Sequence, residues 1–113
     1  MSDNKNNEDK YFLPTEAVSK AAAKGLELHD KFNKGGTEVG VARAKQLKDK
    51  EKVDVEDIKS ISSYFARHEV DKKAEDFGND ANPSKGYIAW LLWGGDAGQK
   101  WAQGIKDKIE SEK

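Results

Sequence analysis

The chain has 113 residues, with 20 Lys plus Arg against 21 Asp plus Glu, a net charge of −1 and no cysteine. This length fits one small domain, and a hydrophobic share of 35% beside 36% charged residues requires a core built from a few concentrated segments. Without cysteine there is no disulfide framework and no thiolate metal site, so a reducing cytoplasm is the expected compartment; the near-zero charge is unlike a general nucleic-acid coat. The longest mostly apolar run, Tyr87 to Trp93, is too short to span a bilayer, and the start MSDNKNNEDK lacks the order of a signal peptide, so no membrane partner is expected.

Residues 1–10 are polar and predict a disordered tail, with the domain running from 11 to 108 and a frayed end from 109 to 113. Thr15 and Glu16 open a first helix, on which Val18, Ala21, Ala22, Gly25, His29 and Phe32 recur at helical spacing. Its small apolar residues predict close approach by a neighbour, and a role as packing partner rather than core organiser. Thr37 is the expected cap of a second helix that buries Gly40, Val41, Ala44 and Leu47. Asp54 caps a third, with Asp57 in the position of a capping-box acid and Val55, Ile58, Ile61, Ser62 and Phe65 forming the stripe, edged by Tyr64 and His68.

The turn residues between Asp76 and Pro83 predict a loop, after which Ser84 caps a fourth helix that is apolar all round its axis through Trp93. Such a helix belongs at the centre of the fold. Gly94 and Gly95 end it, and Asp96 is the expected cap of a fifth helix carrying Ala97, Trp101, Ile105 and Ile109. The short alternations at Val39–Val41 and Val53–Val55 are too brief to count as strands. The class is all-α: a compact bundle of about five helices around a central apolar helix at 84–93.

Familiar chemistry is sparse. Gly35 and Gly40 have the spacing of a phosphate-binding loop, but Val41 and Ala42 stand where that loop needs Lys and Ser or Thr. Gly94, Gly95 and Asp96 precede a helix start, yet the Asp96 carboxylate would repel a phosphate there. His29 and His68 lie at the edges of apolar stripes without a metal-ligand pattern; each is expected to hold a backbone or carboxylate partner. The serines of the third helix lack the strained turn of a nucleophile. No catalytic, cofactor or metal residues are assigned, and only a deep polar pocket at His68 would favour an enzyme.

Two surface groups remain. Arg43, Lys45, Lys48, Lys50 and Lys52 outnumber Asp49 and Glu51 by three, and Lys59, Ser63 and Arg67 follow at four-residue steps on the third helix. In outline, residues 38–68 are a helix-turn-helix-like pair able to contact DNA or RNA, although Asp54, Glu56 and Asp57 would be repelled where such a helix meets phosphates. The second group is a polar cluster of Arg67, His68, Glu69, Asp71 and Lys72, together with Asp96. It reads as a structural tie, with Arg67 or His68 bridging to the corner between the fourth and fifth helices, or as a surface for a partner.

The stretches GGTEVGVARAKQL (Gly35 to Leu47), SYFARHEVDKKAEDF (Ser63 to Phe77) and PSKGYIAWLLWGGDAGQKWA (Pro83 to Ala102) resemble small, mostly uncharacterised proteins of tailed bacteriophages, some of them modules within larger phage proteins. The resemblance spans residues 35–102, about three-fifths of the 113-residue chain, and its most specific blocks are SYFARHEVDKK and IAWLLWGGDAG. It implies a phage or host protein as partner, a place in the infected bacterial cytoplasm or the virion, and no catalytic residues. The expectation is a non-enzymatic structural or interaction protein, with nucleic-acid binding as the alternative.

Overall fold

A computed structural model describes residues 11–111; the expected disordered tail at 1–10 lies outside the described residues. The architecture is the expected all-α bundle of five helices, with one small addition. In chain order come β1 (Tyr11–Phe12), α1 (Glu16–Phe32), α2 (Glu38–Lys48), β2 (Val53–Asp54), α3 (Val55–His68), a 3₁₀ helix (Glu69–Lys73), α4 (Lys85–Leu92) and α5 (Gly95–Ser111). No helix among the described residues is long and apolar enough to cross a membrane.

Four helix starts are set by side-chain caps. Thr15, Thr37, Asp54 and Ser84 accept hydrogen bonds from the backbone N–H groups of Val18, Gly40, Asp57 and Tyr87, each satisfying a donor that the helix leaves open. The capping-box expectation at Asp57 is corrected: its carboxylate turns to Arg43 and Gln46 of α2. α1 ends at Asn33, which is left-handed with φ 52° and donates its N–H to the His29 carbonyl. His29 then holds the following turn, its Nδ1 lying 2.8 Å from the Gly35 carbonyl and 3.2 Å from that of Lys34. Carbonyls only accept, so Nδ1 carries the proton.

α4 is central, as its composition requires. It packs on α1, α2, α3, α5 and the 3₁₀ helix, and Tyr87, Ile88, Trp90, Leu91 and Leu92 are all buried. The role expected for α1 is too modest, because it packs on α2, α4 and α5 and is the spine of the bundle. Its buried face also differs from the expected stripe: Leu28 is buried while His29 is half-buried at the edge. Two buried serines tie helices together, Ser19 donating to the Lys48 carbonyl at 2.7 Å and Ser62 donating to Gln103 at 3.1 Å.

The other expectations that need correction lie at the ends. Val53 and Asp54 do pair, antiparallel with Phe12 and Tyr11, although the segment is too short to show as alternation in the sequence. α5 runs to Ser111 with Ile109 buried, so the described part of the 109–113 segment is helical. Trp101 is partly buried against the core.

Candidate functional site

The basic segment does not come together as one face. Arg43 turns inward: its side chain is 13% exposed, its guanidinium lies 3.2 Å from Asp57 and 2.6 Å from Gln46, and it stands 5.3 Å from the Trp93 ring centre. Lys50 reaches Glu16 on α1, while Lys52 lies over the Tyr11 ring at 4.8 Å. Lys45 and Lys48 share a hollow with Glu27, Asp30 and Asp49, so positive and negative groups alternate there. Lys59, Ser63 and Arg67 are exposed along α3 as expected, with Lys59 facing Glu56 at 3.8 Å. A continuous phosphate track needs cations of one sign over a long stretch, and these side chains are instead divided among five neighbourhoods.

The polar cluster separates into two parts with different roles. The corner between α4 and α5 is tied by Lys72, and not by Arg67 or His68 as the sequence suggested. Lys72 meets the Asp96 carboxylate at 2.9 Å and lies 4.7 Å from the Trp90 ring centre, and the same carboxylate oxygen accepts from the Trp90 indole N–H at 2.8 Å. Glu69 accepts from Gln99 of α5 at 2.8 Å. Asp96 therefore reaches toward α4 and the 3₁₀ helix rather than capping α5 as expected.

Burial pushes the Asp96 carboxyl upward, but the Lys72 ammonium and the Trp90 N–H outweigh it and hold the group below its ordinary value. A pKa lower in the folded chain than in the unfolded one adds stability above the unfolded value of about 3.9 and loses it as pH falls through the folded value. Asp96→Asn is expected to lower the urea midpoint at neutral pH and to flatten its decline below about pH 4. Identical acid limbs in the two proteins would show that the contact stores no stability.

The second part is an open cleft of about 650 Å³ between the start of α2, the end of α3, the 3₁₀ helix and α4. Gly36, Thr37 and Val39 form one side, Lys85, Gly86, Ala89 and Trp93 the other, with Ser60, Tyr64, Arg67, His68 and Asp71 between them. Beneath it lies a stack that the sequence did not reveal. Tyr64 and Trp93 are parallel to within 5° at 4.6 Å, and His68 stacks on Tyr64 at 4.5 Å. Since Tyr64 fills one face of the indole, Arg43 stands over the other. The Tyr64–His68 step follows from i, i+4 spacing on α3 and was within reach of the sequence; the Trp93 and Arg43 steps depend on how three helices pack.

His68 Nδ1 lies 3.2 Å from the Asp71 carboxylate, and His68 has no hydroxyl partner among the described residues. Gly86 makes room for Asp71: a Cβ there would lie 2.8 Å from that of Asp71. Tyr64 is 5% exposed and its hydroxyl has no partner among the described residues; burial, and then the Asp71 charge, push its pKa up. An unpaired buried hydroxyl costs stability, whereas the ring stack survives its removal. Tyr64→Phe is therefore expected to leave stability unchanged or to raise it by up to about 1 kcal/mol in urea denaturation. A loss larger than that would mean the hydroxyl is hydrogen-bonded.

Among the described residues no group of three or more His, Asp or Glu is placed to hold a metal ion. Fold and site together define a small helical domain with an open, aromatic-floored cleft rimmed by charged side chains. No family model, no curated protein and no solved structure matches the chain.

Proposed function

We propose that this chain is a non-enzymatic structural or interaction protein of a tailed phage, working in the infected bacterial cytoplasm or on the virion. Its partner is a phage or host protein, met at the cleft between α2, α3 and α4. One observation carries the reading. The three stretches that resemble phage proteins are far apart in sequence, yet between them they supply every lining residue of that cleft except Ser60.

The division of the basic segment supports protein recognition over nucleic-acid binding by residues 38–68. The test is a pull-down from phage-infected cells with the tagged chain and its Lys85→Glu variant. Recovery of a phage or host protein by the first and not the second is the expected result. Recovery of nothing specific would overturn the reading, and duplex or single-stranded DNA binding that falls steeply with salt would overturn it in favour of the nucleic-acid alternative.

A further inference from the structure

We infer that the cleft receives a single acidic side chain of the partner, flanked by apolar residues, with Arg67 and Lys85 as the groups that hold its carboxylate. The inference rests on the interaction-protein reading above and names the chemistry recognised. Arg67 and Lys85 both line the cleft and are exposed, and neither meets a carboxylate at ion-pair distance among the described residues. The one acid in the lining, Asp71, is engaged by His68. Two cations against one acid leave the cleft an excess of one positive charge with His68 neutral, which one carboxylate balances.

A longer anion is less well met, because Arg67 and Lys85 are the two Lys or Arg side chains in the lining. Nor do Trp93 and Tyr64 offer a platform for bases. Trp93 is covered by Tyr64 and Arg43, and Tyr64 by Trp93 and His68, so the faces a base would stack on are already filled. The lining also carries apolar surface: Val39 is 63% exposed, and Ala89 is half-buried. Apolar side chains on either side of the partner's acid would cover these two.

The probe is the peptide N-acetyl-Leu-Glu-Leu-amide, titrated into the full chain labelled with ¹⁵N and followed by amide and indole resonances. Saturable shifts at Val39, Gly86, Ala89 and the Trp93 indole are expected, with affinity at least about tenfold weaker for the Gln peptide. Lys85→Glu and Arg67→Glu should weaken binding by a similar factor without moving the thermal midpoint, since both side chains are exposed. Equal binding of the Glu and Gln peptides, or the same shifts at lower concentration with inorganic phosphate or an oligothymidylate, would overturn the inference. So would the absence of shifts; if the pull-down still recovers a partner through Lys85, the interaction reading stands and only its acidic chemistry falls.

Discussion

Replacing Gly25 by alanine is expected to destabilise the protein by about 2 kcal/mol, although alanine is the better helix former. Gly25 lies in the middle of α1, where the exchange by itself favours the helix by about 1 kcal/mol. Opposing this, the added Cβ would lie 2.7 Å from the Leu92 nitrogen and 2.9 Å from the Leu91 carbonyl carbon. Those are backbone atoms of the central helix and cannot swing aside, so α1 and α4 must separate and the contacts along their shared face loosen. Overpacking of this kind costs roughly 1–3 kcal/mol and more where backbone must move, so the clash wins. Gly104 supplies the control. It lies within α5 with nothing inside 4 Å of an added Cβ, and Gly104→Ala should raise the thermal midpoint. The same substitution thus changes sign between two helices, and a rise in midpoint for both variants would show that α1 and α4 are not in backbone contact.

Trp90→Ala is expected to cost about 3–5 kcal/mol, a large part of the stability of a domain this size. The side chain is 1% exposed, meets Phe65 edge to face at 4.6 Å, and carries the indole N–H that Asp96 accepts. Its loss opens a cavity in the core and at the same time removes the surface on which Lys72 rests. Trp90→Phe separates the two contributions. It keeps most of the packing and removes the N–H, and because Asp96 stays largely exposed, that hydrogen bond is worth about 1 kcal/mol rather than the larger value of a buried charge. In urea denaturation, the double variant with Asp96→Asn should cost less than the sum of the single changes. Strict additivity would mean that Trp90 and Asp96 do not act on each other.

Much of this fold could be read from local chemistry. The caps at Thr15, Thr37, Asp54 and Ser84 need only a side-chain oxygen at the right offset, and the all-round apolar character of α4 places it at the centre before any neighbour is known. The departures arise where a side chain answers to a distant one. Leu28 replaces His29 on the buried face of α1 because α4 and α5 approach from a direction that spacing along α1 does not contain. Asp57 and Asp96 sit where capping acids belong, yet Arg43 in one case and Lys72 with Trp90 in the other offer a charged or indole donor. Of the polar cluster, the sequence located the residues and the structure divided them: Lys72, Glu69 and Asp96 at the corner, Arg67, His68 and Asp71 at the cleft. The lining on the α2 and α4 sides was not legible as a surface, because spacing along the chain reads Thr37 as a cap and Trp93 as part of a central helix.

The pairing of β1 with β2 bears on the order in which the chain assembles. Tyr11 and Asp54 are partners although 43 positions separate them (54 minus 11), and the pairing involves two residues on each strand. Closing so long a loop costs about 3 kcal/mol of chain entropy, more than so short a ribbon returns. The ribbon forms only once α1, α2 and α3 have already brought its strands together, so it records the completed bundle and does not nucleate it. On the reverse path it is the first segment to open, and amide exchange at Phe12 and Val53 should run ahead of exchange in α4.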